Sequence, residues 1–126
     1  MKTTEIGRRG EQVVCQFLCN RGYEIIQQNF CVRGGEIDII AQNKTDLAFV
    51  EVKTRKPGSL VSGYEAVTKS KQNRLIYAAA LWCEAHPEQT RQPRFDVAVV
   101  IMRGKVVLSV DYLEQAFDAS DSVYIF

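Results

Sequence analysis

Two stretches, Gly35-Glu36-Ile37-Asp38-Ile39-Ile40 and Phe49-Val50-Glu51-Val52-Lys53, decide how this chain is read. Each is apolar enough to form a buried strand, yet together they carry Asp38, Glu51 and Lys53. A charge taken out of water without a partner or a metal is strongly unfavourable, so ionisable residues in such strands require a reason. Residues two apart on a strand share a face, which puts Phe49, Glu51 and Lys53 on one side and Val50 and Val52 on the other. The polar run Ala41-Gln42-Asn43-Lys44-Thr45-Asp46 between the stretches has turn chemistry that suits a hairpin. Antiparallel pairing across that turn brings Asp38 near Glu51 on the same face.

Two carboxylates converging on one point repel each other unless a cation sits between them. Mg²⁺, or Mn²⁺ in its place, fits, because such a hard cation takes one or two carboxylates together with waters and substrate phosphates. Lys53 would then lie beside a scissile phosphate, stabilising developing charge or positioning the attacking water. A Glu-x-Lys pair taken alone is more often half of a solvated edge or a surface ion pair. The flanking apolar residues and the preceding Asp-bearing strand set this one apart.

The 126 residues suit a single domain spanning 1–126, with an ordinary globular composition and a formal net charge of +1. No apolar run approaches the roughly 20 residues of a membrane span. Met1-Lys2-Thr3-Thr4-Glu5-Ile6 lacks the apolar core of a signal peptide, so a cytoplasmic location is expected. The four cysteines, at 15, 19, 31 and 83, have no zinc-like spacing and read as reduced packing residues. His86, before Pro87, reads as a surface residue. Charge is uneven along the chain. Residues 53–74 carry Lys53, Arg55, Lys56, Lys69, Lys71 and Arg74 against Glu65 alone, whereas the charged residues from Val106 onward, Asp111, Glu114, Asp118 and Asp121, are all acidic. Because the basic stretch begins at Lys53, it favours a polyanion partner.

Helical periodicity over residues 4–21, with Val13, Val14, Phe17 and Leu18 apolar and Gly22 as a stop, predicts a first helix. Strands are expected over 24–30, across Asp38, across Glu51, over 95–101 and over 106–110. A loop is expected over 56–63. A second helix is expected over 68–85, with Leu75, Ile76, Ala79, Leu81, Trp82 and Cys83 as candidate core, and a short helical segment over 112–117. The order αβββαββ implies a mixed sheet with helices packed on it. Asp96, after Phe95 at a strand start, reads as a structural group in preference to an outer contact of the site.

These features resemble the PD-(D/E)xK restriction-endonuclease-like superfamily: a helix bearing Glu11, an acidic strand, then Glu-x-Lys on the next. Nearly the whole chain is similar to the YraN family of uncharacterised bacterial proteins. The similarity runs through Gly10-Glu11, Gly22-Tyr23, Arg33 to Ala41, Phe49 to Arg55, Lys71-Gln72 and Phe95-Asp96-Val97. A weaker similarity reaches archaeal Holliday-junction resolvases. One departure is Phe30, where the family often has Trp.

The resemblance implies a restriction-endonuclease-like three-layer α/β fold with a mixed central β-sheet flanked by helices. It implies a Mg²⁺-dependent endonuclease acting on phosphodiester bonds of DNA, including branched or structured DNA. Asp38 and Glu51 would bind the metal and Lys53 would be the catalytic lysine. Glu11 would complete the site as a ligand or through a water, and Gln72 would be a supporting polar residue. Arg55, Lys56, Lys69, Lys71 and Arg74 would hold the nucleic-acid backbone without reading sequence. Glu36 is expected to point away from Asp38. A junction cutter would need two active sites, hence a homodimer. The rival readings are a non-catalytic nucleic-acid-binding protein that retains the nuclease fold, and a small interaction protein whose charged strand residues pair only with each other.

Overall fold

Thr4 opens the first helix, α1 (Glu5–Asn20): its backbone is extended and its hydroxyl accepts the Gly7 N–H at 3.0 Å, satisfying one of the donors a helix start leaves open. Gly22, at φ 87°, reverses the chain, and the N–H groups of Gly22 and Tyr23 close onto the carbonyls of Cys19 and Leu18. The computed structural model describes residues 4–58 and 67–119. In it α1 is followed by β1 (Glu24–Val32), β2 (Gly35–Gln42), β3 (Asp46–Arg55), α2 (Lys69–Ala85), β4 (Gln92–Arg103) and β5 (Val106–Phe117). This is the αβββαββ order expected from the sequence.

The five strands form one sheet in chain order. Neighbours pair antiparallel except β3 and β4, which are parallel and therefore need the α2 crossover between them. The β2–β3 hairpin turns where its polar run predicted. Asn43 Oδ1 accepts the N–H groups of Thr45 and Asp46 at 3.0 and 2.7 Å, an Asx turn that fixes the register.

Alternation along β3 sorts the core into two layers. Val50 and Val52 join Val14 and Leu18 under α1. Leu47 and Phe49 join Leu75, Ile76, Ala79 and Trp82 under α2. The helices thus cover opposite faces, giving a three-layer mixed α/β domain. Leu81 and Cys83, expected in the core, are only half-buried, and Ala78 takes a buried position instead. His86 is not a plain surface residue: it is half-buried, with its ring stacked on Trp82 at 3.9 Å between centroids.

The helix expected over 112–117 does not form. Those residues complete β5, a 12-residue strand matched to the 12 residues of β4. Leu113-Glu114-Gln115-Ala116 suits a helix by local propensity, but the exposed edge of β4 offers a ladder that four residues cannot match as an isolated helical turn. Most of the loop expected over 56–63 lies outside the described residues.

The pleat changes phase at Asp38. Ile37 packs under α2, whereas Ile39, two residues on, packs under α1. In a regular strand these would share a face. Opposite, the register passes from Gln28↔Ile39 to Phe30↔Ile37, skipping Asn29, which takes φ 52°. Asn tolerates this left-handed conformation better than most residues.

Two glycines set how closely the helices approach the sheet. A Cβ on Gly35 would lie 2.3 Å from the Arg74 carbonyl oxygen and 3.1 Å from the Ala78 Cβ. On Gly10 it would meet Thr54 Cγ2 at 2.5 Å. Backbone cannot give way as a methyl group can, so Gly35→Ala should cost about 1–3 kcal/mol by overpacking. Gly10→Ala should cost less, because helix propensity returns roughly 0.5–1 kcal/mol. Urea midpoints of the two variants check this order.

Candidate active site

Glu51 and Lys53 lie on the α2 side of β3 and are nearly buried, at 8 % and 7 % exposure. They pair with each other, Lys53 Nζ to Glu51 Oε1, at 3.2 Å. Glu51 opens onto a small cleft that is also lined by Glu36, Lys71 and Arg74. Burial and then the neighbouring Lys71 hold the Lys53 ammonium below the ordinary lysine range, with Glu51 opposing them.

Asp38, at 2 % exposure, is fixed by the backbone. Its Oδ2 accepts the Val52 N–H at 2.8 Å, at the residue between Glu51 and Lys53. The regular β2–β3 pairing ends at Ile39↔Val50, so the carboxylate takes the donor that a strand carbonyl would otherwise take. The change of pleat phase at Asp38 accompanies this turn of the side chain into the ladder.

Glu11, also nearly buried, comes from the α1 layer, next to the close approach of Gly10 to Thr54. Among the described residues no group of three or more His, Cys, Asp or Glu side chains is arranged to hold a metal ion. Gln72 hydrogen-bonds through Nε2 to the Val67 carbonyl at 3.2 Å, tying down the entry to α2. Lys69 and Lys56 are exposed, and Arg55 donates to the Thr54 carbonyl at 3.0 Å. Of the expected site residues, the structure brings Glu51, Lys71 and Arg74 around one cleft, pairs Lys53 with Glu51, and clamps Asp38 to the strand that carries both.

Glu36, expected to point away from Asp38, lines the cleft together with Lys71 and Arg74. Sequence reasoning missed the partner of Asp96. That residue is fully buried, and Arg94 reaches it with Nε and Nη2 at 2.9 and 2.8 Å. Tyr112 Oη donates to Asp96 at 2.6 Å and the Gln115 N–H donates at 2.9 Å. Arg94 also holds Asp46 at 3.1 Å and hydrogen-bonds the Tyr23 hydroxyl. Burial disfavours the Arg94 cation, but its bonds to Asp96 and Tyr23 outweigh burial and raise its pKa. Burial first, then the charge of Asp96, pushes the Tyr112 hydroxyl upward. Asp96 is thus structural, as its position suggested, and it serves as the centre of a network.

Fold and site together define a three-layer mixed α/β protein with an acid–lysine pair beside a cleft lined by charged residues of both signs. The chain belongs to the uncharacterised protein family UPF0102, whose family model matches residues 10–100. A UPF0102 protein of Desulfosudis oleivorans is 41% identical over 116 residues, covering 92% of each chain. One from Dictyoglomus turgidum is 38% identical over 118 residues, covering 93% of this chain and 100% of its own. One from Clavibacter michiganensis is 41% identical over 97 residues, covering 77% and 82% respectively. No helix among the described residues is long and apolar enough to cross a membrane.

Removing Asp96 would strand Arg94, whose side chain is 11% exposed. Asp96→Ala should therefore cost about 3–5 kcal/mol, as broken buried pairs do. Tyr112→Phe, which removes one hydrogen bond to a charged acceptor, should cost about 1.5–3 kcal/mol. Denaturant titration separates the two. On α1, burial, then Cys19 and Glu11, push the Cys15 thiol up to about 11. Since the thiolate is the nucleophile, alkylation of Cys15 should be slow at neutral pH and keep accelerating until that value. Peptide mapping after timed alkylation reads this out.

Proposed function

We propose that the protein is a divalent-metal-dependent endonuclease that hydrolyses phosphodiester bonds of DNA, with branched or structured DNA as its substrate class. One observation carries the reading: Glu51 and Lys53 share a nearly buried face opening on a cleft with Lys71 and Arg74, while Asp38 is bonded to the backbone between them.

The donor set suits Mg²⁺ or Mn²⁺. Asp38 and Glu51 supply hard carboxylate oxygens from adjacent strands, and a carboxylate has lone pairs for a metal beyond the one that takes an N–H. Glu11 would add a third carboxylate, directly or through water. A bound ion of this kind polarises a phosphoryl oxygen and lowers the pKa of its water. The remaining roles fall to the chain. Lys53, held near Glu51, is placed to neutralise charge on the phosphate or to orient a water. Lys71 and Arg74 line the cleft where the substrate backbone would lie, and Lys69, Arg55 and Lys56 extend that positive field. Gln72 supports them by holding α2 in place.

A junction cutter requires two such clefts, so a two-fold dimer belongs to this reading. So does a cytoplasmic location, where the DNA of bacteria such as the relatives above resides. The closed Glu51–Lys53 pair favours a second reading, a nucleic-acid-binding protein whose acid and lysine serve only each other.

Calorimetry with Mg²⁺ and Mn²⁺, alongside nicking of branched and linear DNA, decides between them. Saturable metal binding should disappear in Asp38→Asn and Glu51→Gln. Cleavage should stop with chelator and fall by roughly 10²–10³ in Lys53→Met, the loss typical of a group that stabilises transition-state charge. DNA binding that is equal in wild type and variants, with no metal uptake and no nicking, would establish the binder instead.

A further inference from the structure

Six of the described cations outside the cleft gather at one end of the sheet. β3 and β4 run parallel and end together, at Arg55 and Arg103, and Lys56 and Lys105 follow these ends directly. The start of α1 lies over the same end, since Gly10 approaches Thr54 and Val100. Arg8 and Arg9 are exposed there and line a recess with Lys105, Gln12 and Glu5. A neighbouring recess joins Arg55 and Lys56 to Ile6, Met102 and Gly104. Six cations face one acid, Glu5, which pairs with Lys105 at 2.7 Å on the exposed surface. The chain as a whole carries only +1, so this end is cationic at the expense of the rest. Asp46 and Glu24 start β3 and β1 at the far end.

We infer that Arg8, Arg9, Arg55, Lys56, Arg103 and Lys105 form a second phosphate-binding surface, around the sheet end beneath the start of α1, which engages duplex nucleic acid flanking the bond held in the cleft. The inference deepens the proposed nuclease reading and rests on it for the position of the cleaved strand. Arg55 follows Lys53 by two residues, about 7 Å along the strand, so the sheet end lies next to the strand segment that carries the cleft residues. Among the described residues, the two recesses are lined by cations, polar groups and aliphatic residues, with no aromatic ring on which a single-stranded base would stack. Such a surface holds phosphates without reading bases, as a structure-directed enzyme requires. It also lies at the carboxyl ends of parallel strands, where open α/β sheets generally bind ligands.

The test compares the wild type with the triple variant Arg9→Ala, Arg103→Ala, Lys105→Ala, and with Lys71→Ala, Arg74→Ala in the cleft. Affinity for duplexes of roughly 20 and roughly 8 base pairs is measured against salt, where each neutralised phosphate contributes about 0.9 to the slope of log K on log [salt]. The triple variant should lower the slope by about 2–3 on the long duplex and by less on the short one. An unchanged slope on the long duplex overturns the second surface while leaving the nuclease reading intact. A reduced slope in a protein that nicks nothing upholds the surface and removes the catalytic reading. Absence of salt-dependent duplex binding by the wild type overturns both.

Discussion

The hydrogen bond from Val52 N–H to the Asp38 carboxylate constrains everything built on the β2–β3 hairpin. A carboxylate at 2 % exposure is tolerable only where donors meet it, and here the donor is a backbone group released because the two strands part beyond Ile39. That parting requires the pleat of β2 to change phase, which in turn requires Asn29 on β1 to adopt a left-handed backbone. The acid, the break in the ladder and the strained neighbour form one unit. Its effect is to hold Asp38 against the strand that presents Glu51 and Lys53.

The same solution occurs a second time. Asp96 sits where the β4–β5 register shifts, accepts the N–H of Gln115, and has as its neighbour a non-glycine residue at positive φ, Gln115 itself at 50°. The difference lies in the cation. Asp96 is held by Arg94, Tyr112 and the Gln115 N–H, whereas Glu51, paired with Lys53, borders a cleft. Burial that is fully compensated within the chain reads as architecture; burial beside an opening lined by charged groups is what a reaction site requires.

Much of this was legible in the amino acids. The two-residue period of Phe49 to Lys53 assigned each side chain to its face, and the Asn43 turn fixed the hairpin, because both signals are local. The limits of α1 and α2 followed from Thr4, Thr68 and Gly22 for the same reason. What escaped was set by distant partners. Residues 112–117 look helical until the free edge of β4 claims them. Arg94 gives no hint that it will hold Asp46 and Tyr23, 48 and 71 residues away. Gln72 could be placed on α2, but its bond to Val67 depends on how the chain enters that helix.

The separation of the Arg94 partners also bears on how the chain reaches this structure. Tyr23 follows α1, Asp46 opens β3, Arg94 and Asp96 belong to β4, and Tyr112 and Gln115 to β5. Ordering contacts of such sequence separation is costly in loop entropy and repaid only once they close together. During synthesis, Asp96 has no tyrosine or amide from β5 until the last dozen described residues emerge. A chain cut before β5 would therefore lack the Tyr112 and Gln115 donors that compensate the buried Asp96 carboxylate.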